Sequence, residues 1–224
     1  MKILDIELNE NNGAHLITRK YQTELLDLFP DEQLRGCEMG VAYGGGLANM
    51  RRIWGDRTDT IWGFDTYEGH PVEEMLPRCE ASQRAGGRAS MAAVCMEHWY
   101  NLKDRYGDRY TDEHIQAELD ELGYDNVVLV KGLVTDATDV SFIEDLHYAF
   151  IDMDWPQAQR DGYELLKNKI KPGGYLALHD MCKRGHIPGC WEIYQDILAE
   201  GVFELVEERP DPQIVSVLRR LLWH

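Results

Sequence analysis

The stretch from residue 35 to residue 65 constrains this chain most: RGCEMGVAYGGGLANMRRIWGDRTDTIWGFD. RGCEMG (35–40) is a short apolar run entering a glycine turn, and it is predicted as a strand. LANMRRIWG (47–55) follows as a helix stopped by Gly55, and TIWGFD (60–65) as a second strand ending in an acid. Strand, turn, helix, strand is the repeating unit of a parallel sheet, because parallel neighbours need a crossover connection.

The remaining chain keeps this alternation. Residues 14–29 carry apolar positions at helical spacing and stop at Pro30-Asp31. NVVLVKG (126–132) and YAFIDMD (148–154) read as the third and fourth strands. QAQRDGYELLKNKI (157–170) reads as a helix, after which Pro172-Gly173-Gly174 turns the chain into a fifth strand, YLALHD (175–180). GCWEIYQDILAEG (189–201) is a further helix, and FELVEE with QIVSVLRRL forms a closing hairpin. The expected class is α/β: a mainly parallel seven-stranded sheet with helices on both faces and a C-terminal hairpin adding one antiparallel edge strand.

Only the second connection breaks the rhythm. About sixty residues separate the second and third strands, too many for one crossover helix. MAAVCMEHWYNLKDRYG and TDEHIQAELDELG look helical, so a helical insertion or lid is expected over about 68–122, covering a site. With 224 residues and 44% hydrophobic content, the chain suits a single domain, 1–224.

Charge narrows the partners. Asp and Glu number 40 against 23 Lys and Arg, a formal net charge of -17. Such a chain repels phosphate backbones and anionic lipid, so neither nucleic acid nor membrane is an expected partner. Acids interrupt the opening MKILDIELNE, which is no signal peptide, and no run approaches the roughly 18 apolar residues of a membrane span. Five scattered cysteines read as free thiols of a reducing compartment, so the expected location is cytoplasmic.

In open parallel sheets, ligands bind beyond the carboxyl ends of the strands. The first strand leaves through Glu38-Met39-Gly40-Val41-Ala42-Tyr43-Gly44-Gly45-Gly46. Its G-x3-G spacing differs from the pyrophosphate-binding G-x-G-x-x-G, and the carboxylate of Glu38 would repel a diphosphate while attracting a cation. Asp65 ends the second strand 25 residues beyond Gly40, where an acid commonly accepts hydrogen bonds from ribose hydroxyls. A cationic, ribose-bearing ligand without a diphosphate describes S-adenosylmethionine. A nicotinamide dinucleotide, or a bare glycine turn with a surface aspartate, are the alternatives.

Five segments then match one family in order. GCEMGVAYGGGLANM resembles the E-x-G-V-x-x-G-G segment of the macrolide-sugar and aminocoumarin O-methyltransferases, the macrocin O-methyltransferase type. GFDTYEGHP is similar to that family's G-F-D-S-F-E-G-L-P, and LVKGLVTDA to its V-K-G-x-F-x-D-T. FIDMD resembles H-I-D-x-D, and KPGGYLALHD resembles P-G-G-x-x-x-x-D-D. The resemblance implies a Rossmann-like class I methyltransferase using S-adenosylmethionine. It also implies Mg2+ dependence, a hydroxyl of a sugar or phenolic ring of a secondary metabolite as acceptor, and a homodimer or higher homo-oligomer. Position by position, it puts Glu38, Met39, Gly40 and Gly44 at the methionine end of the cofactor, with Tyr43 a further cofactor-binding residue. Asp65 then holds the ribose with Thr66 and Tyr67 nearby, and Gly132 and Leu133 lie by the adenine. Asp152 sits between cofactor and metal, Asp152 and Asp180 match metal-ligand carboxylates, and Asp154 matches the general base.

This chemistry wants carboxylates. A hydroxyl is a poor nucleophile until a divalent ion lowers its pKa and a nearby base takes its proton. Two departures stand out. His179-Asp180 replaces the family's two acids, and imidazole suits Mn2+, Fe2+, Co2+ or Zn2+ better than Mg2+. His179 is therefore a candidate ligand, a candidate base, or a space-filler beside Asp180. Trp155-Pro156 stands where the family prefers Tyr-Glu, either as a core residue or as a stacking surface for an acceptor, and Asp154 is alternatively an N-cap of the following helix. A zinc reading of His179, Cys182, His186 and Cys190 has an uncommon spacing. Two further functions stay open: a metal-independent N- or O-methyltransferase with His179 or Asp154 as base, and a non-catalytic adenosylmethionine-binding partner.

Overall fold

The computed structural model describes residues 2–3, 13–69, 107–180, 189–209 and 215–222. These form one seven-stranded sheet. In chain order the elements are α1 (Gly13–Leu28), β1 (Leu34–Met39), α2 (Gly45–Trp54), β2 (Thr58–Asp65), α3 (Asp112–Glu121), β3 (Val127–Lys131), β4 (Leu146–Ile151), α4 (Pro156–Leu166), β5 (Ile170–His179), α5 (Cys190–Ala199), β6 (Phe203–Arg209) and β7 (Val215–Arg220). The strand order is β3-β2-β1-β4-β5-β7-β6.

β1 to β5 run parallel, and β7 is antiparallel to both of its neighbours. The hairpin thus differs in one respect from its expected form. Its antiparallel strand is interior, and the edge strand β6 runs with the rest. The order reverses between β1 and β4, which opens a crevice at their carboxyl ends.

Successive residues of the central strands feed opposite cores. On β4, Tyr148 and Phe150 join the core beneath α1, α2 and α3, whereas Ala149 and Ile151 join the core beneath α4 and α5. Burial on both faces explains why these strands read as unbroken apolar runs. Gly36 and Gly63 let α2 sit close to the sheet: a Cβ at Gly36 would strike the Met50 sulfur, and one at Gly63 the Leu47 side chain.

Three boundaries moved. β4 ends at Ile151, so Asp152 and Asp154 lie on the loop beyond it rather than on the strand. α4 ends at Leu166, and β5 already begins at Ile170. There Leu146 pairs with Ile170 but Tyr148 pairs with Tyr175, so the Pro-Gly-Gly turn survives as a bulge inside β5. TDEHIQAELDELG forms α3, capped by the Thr111 hydroxyl, which accepts from the His114 N–H at 3.2 Å. Rather than a lid over the site, α3 is the crossover helix against β3, where the Gln116 side-chain amide donates to the Val127 carbonyl at 3.1 Å. The other expected helix of the insertion, MAAVCMEHWYNLKDRYG, lies outside the described residues but for Gly107, and so do Cys182 and His186. Among the described residues, no helix is long and apolar enough to cross a membrane.

Candidate active site

The exits of the first four strands are stitched together by main-chain bonds. The Gly40 N–H donates to Phe64 O at 2.9 Å, the Asp152 N–H to Met39 O at 2.8 Å, and the Gly132 N–H to Asp65 O at 2.9 Å. Gly40 has φ +87°, and a Cβ there would overlap the Asp152 carbonyl. Only glycine permits this turn and this approach. Among the described residues, four of the five non-glycine residues with positive φ follow the carboxyl ends of strands β1, β2, β4 and β5: Ala42, Tyr67, Asp154 and Asp180. Backbone held in this sparsely populated region characteristically gathers at functional sites.

Glu38 points from β1 toward the start of α2, and its carboxyl oxygens lie where a Cβ of Gly46 would be. The side chain is 3% exposed, and its Oε2 has no hydrogen-bond partner among the described residues. Burial, then the charges of Asp152 and Asp65, push its pKa well above the usual carboxylate range. A buried acid oxygen without a donor, beside two further acids, is a place for a cation.

Asp65 is held from several sides. Its Oδ2 accepts the N–H groups of Val41 (2.9 Å) and Ala42 (3.1 Å). Its Oδ1 accepts the Tyr67 N–H (3.0 Å) and the Tyr110 hydroxyl (3.1 Å). Beside it opens a pocket lined by Gly40, Phe64, Asp65, Thr66, Gly132, Leu133, Val134, Met153, Trp155 and Ala158. Polar groups stand at one end, and the other walls are apolar, as a nucleoside requires.

Across the crevice, Asp152, Asp154, His179 and Asp180 each bring a ligand atom within 4.8 Å of the others. His179 Nδ1 lies 3.0 Å from Asp152 Oδ1 and 3.2 Å from Asp180 Oδ2, so the imidazole sits between the two carboxylates. Burial opposes its charged form, but the charge of Asp152 and the contacts with both carboxylates outweigh it and raise the imidazole pKa well above its ordinary value. The N-cap of α4 is Trp155, not Asp154, which leaves Asp154 in the acidic cluster.

Of the residues singled out in the sequence, Gly40, Asp65, Thr66, Gly132 and Leu133 line the pocket. Glu38 lies beneath its glycine loop, Gly44 caps α2, and Asp152, Asp154, His179 and Asp180 form the cluster. Three further candidates have buried side chains. Met39 is fully buried in the core beneath α4, and Tyr43 is buried with its hydroxyl donating to Glu118 at 2.9 Å. Tyr67 is buried with its hydroxyl donating to the Gly63 carbonyl at 3.2 Å. Packing claims these side chains.

Sequence reasoning missed Val134, Met153 and Ala158 as pocket wall. It left Trp155 between core and cleft, and the residue serves both, at 2% exposure. Tyr110 was missed altogether. His114 pairs with Glu118 one turn along α3, at 3.2 Å.

Comparison with known proteins agrees with this geometry. The sequence profile of a family described as "Methyltransferase domain" matches residues 37–181. No curated protein shows significant sequence similarity. Among solved structures, the O-methyltransferase NovP superposes with a TM-score of 0.64 at 18% identity, over 92% of this chain and 79% of that one. The calicheamicin methyltransferase CalS11 gives 0.65 at 18% identity, over 91% and 77%. An O-methyltransferase from Bacillus cereus in complex with SAH gives 0.58 at 13% identity, over 97% and 89%. At these identities the likeness is one of fold.

Proposed function

The chain belongs to the methyltransferase-domain family, and from that premise we propose that it is an S-adenosylmethionine-dependent O-methyltransferase, assisted by a divalent ion. Its acceptor is a hydroxyl of a small molecule, a sugar or phenolic ring of a secondary metabolite; the structurally similar CalS11 is described as a TDP-rhamnose 3'-O-methyltransferase of calicheamicin biosynthesis. The observation that carries this reading is the meeting, at one crevice, of the Glu38–Gly40–Asp65 cofactor loop and the Asp152–Asp154–His179–Asp180 cluster.

The residues fit the cofactor. The buried Glu38 Oε2 without a donor suits a cationic methionine end, the bare Gly40 backbone admits close approach, and Leu133, Val134, Met153 and Ala158 offer an apolar wall to the adenine. The cluster also fits a divalent ion, with three carboxylates and one imidazole. Mg2+ takes the oxygens, but the imidazole shifts preference toward Mn2+, Fe2+ or Co2+. When bound, the cofactor supplies an electrophilic methyl group and the ion lowers the pKa of the acceptor hydroxyl.

The protein's own part is positioning and proton transfer. Asp152, His179 and Asp180 hold the metal side, while Asp154, on its strained backbone, takes the hydroxyl proton. Holding nucleophile and methyl carbon in near-attack geometry supplies much of the remaining rate. The net charge of -17 keeps the reading away from nucleic-acid acceptors. We extend the proposal to a cytoplasmic homodimer or higher homo-oligomer, which sizing chromatography tests.

One observation favours a second reading. His179 already stands as a cation-capable group between Asp152 and Asp180, so a metal-independent enzyme with His179 or Asp154 as base has a structural footing. Transfer of labelled methyl from S-adenosylmethionine to a panel of sugars and phenols, with EDTA and then with Mg2+ or Mn2+, separates the two. Loss of transfer in EDTA and recovery with metal is expected. Transfer indifferent to EDTA selects the second reading, and no transfer to any acceptor counts against both.

A further inference from the structure

We propose that the Tyr110 phenol is a plug on the ribose subsite: in the unliganded protein it occupies an acceptor position on Asp65 that a ribose diol needs, so nucleoside binding displaces it. The inference rests on the adenosylmethionine reading above and adds a specificity residue to it.

A carboxylate offers about four lone-pair sites. Those of Asp65 are filled by Val41 N–H, Ala42 N–H, Tyr67 N–H and the Tyr110 hydroxyl, at 2.9 to 3.1 Å. The Thr66 hydroxyl lies 3.4 Å from Oδ1 but bonds the Gly69 carbonyl at 2.6 Å, its better acceptor. An incoming diol therefore finds no vacant site on an acid that lines the pocket.

Three of the four donors cannot leave. Val41 and Ala42 belong to the loop pinned by the Gly40-to-Phe64 main-chain bond. Tyr67 is anchored by its own hydroxyl on the Gly63 carbonyl. Tyr110 is the sole side-chain donor of the four, so its hydroxyl can part from Asp65 while the three main-chain bonds stay, at the cost of shifting a buried ring. Lys131 keeps that backbone in place by bridging Glu68 (3.2 Å) and Asp112 (3.1 Å) on either side of the Tyr110–Asp65 contact. Tyr110 is 1% exposed and packs near Tyr67, with ring centroids 6.4 Å apart, so the plug is ordered.

The consequence is a penalty on every ribose-bearing ligand. Breaking a hydrogen bond to a carboxylate weakens binding by roughly tenfold or more. Tyr110→Phe keeps the ring and removes the donor. Calorimetric titration of the full chain with S-adenosylhomocysteine should therefore show this variant binding about tenfold tighter than wild type. Adenosine should show the same gain, and 2′,3′-dideoxyadenosine, which has no diol to seat, should not. Equal or weaker S-adenosylhomocysteine binding by Tyr110→Phe would overturn the plug and make Tyr110 a brace for Asp65. Absence of binding to both proteins would overturn the adenosylmethionine reading, and the plug with it. If Tyr110→Phe does not fold, 3-fluorotyrosine at position 110 of the otherwise unaltered chain gives the answer: its fluorine resonance should move when S-adenosylhomocysteine is added, and an unmoved resonance overturns the inference.

Discussion

β4 and β5 carry a histidine beside a carboxylate at each end, and the two behave oppositely. At the amino end, His147 is buried, its Nδ1 accepts the Arg35 N–H at 3.1 Å, and its Nε2 lies 3.1 Å from Glu32. Burial, followed by the nearby positive charge of Lys171, drives its pKa down despite Glu32. At the carboxyl end, His179 meets Asp152 and Asp180, and its pKa is driven up. Burial penalises both imidazoles, so burial is not what separates them. What differs is whether the neighbouring acids are already neutralised. Glu32 pairs with Lys171, which also lies over the Phe29 ring, and the group closes on itself. At the carboxyl end, Asp152 and Asp180 share one imidazole, His179, with Asp154 in the same cluster and Glu38 close to Asp152. The amino end is a finished structural joint. The carboxyl end gathers acids around one imidazole near the sheet's switch point, an arrangement characteristic of functional sites.

The strongest way to break this comparison is to change one acid at the carboxyl end. Asp154→Asn should lower the methyl-transfer rate by roughly 10²–10⁴-fold, the usual worth of a general base. Affinity for S-adenosylhomocysteine, measured by calorimetry, should stay nearly constant. A rate within a fewfold of wild type would remove Asp154 from proton transfer.

The next effect is on the scaffold. Gly40→Ala forces a side chain into the left-handed region and against the Asp152 carbonyl. A loss of about 3 kcal/mol or more in chemical denaturation is expected, together with loss of cofactor binding. A variant of unchanged stability would mean that the loop relaxes freely and that the close approach is incidental.

The smallest effect sharpens the contrast between the histidines. A base whose pKa is lowered by folding contributes stability that is present above its unfolded value, about 6.5, and lost as pH falls below it. His147 should therefore weaken the fold on acidification, and His147→Gln should flatten that slope while leaving S-adenosylhomocysteine affinity unchanged. A base whose pKa is raised contributes stability present below about 6.5 and lost as pH rises through the folded value. In EDTA, His179→Gln should abolish this alkaline loss. Thermal melts between pH 5 and pH 9 check both, and identical slopes in the two variants would erase the distinction.

The comparison also explains how much was legible in the residues. The glycine loop, Asp65 and the acids after β4 and β5 announce themselves, because turn chemistry and strand exits are local. Boundaries were harder where local signals conflict with pairing. Pro172-Gly173-Gly174 is a genuine turn signal, yet pairing with β4 absorbs it as a bulge in β5. Met39 and Tyr43 stand in the matched motif, but strand alternation and the second core decide where their side chains go. Tyr110 was invisible because its meaning lies in a hydrogen bond to a residue 45 positions away, which no spacing rule encodes. His147 drew no notice for the same reason: its partners, Glu32 and Lys171, come from distant segments.

The central claim is that the carboxyl ends of β1, β2 and β4 hold an adenosyl cofactor. Calorimetric titration of the purified chain with S-adenosylhomocysteine, in EDTA and then with Mn2+ or Mg2+, tests it most directly. The account predicts binding with a Kd of roughly micromolar order in wild type, and a loss of at least about tenfold in Asp65→Ala, which removes the acid that seats the ribose. Absence of binding in every buffer, or undiminished affinity in Asp65→Ala, would contradict it.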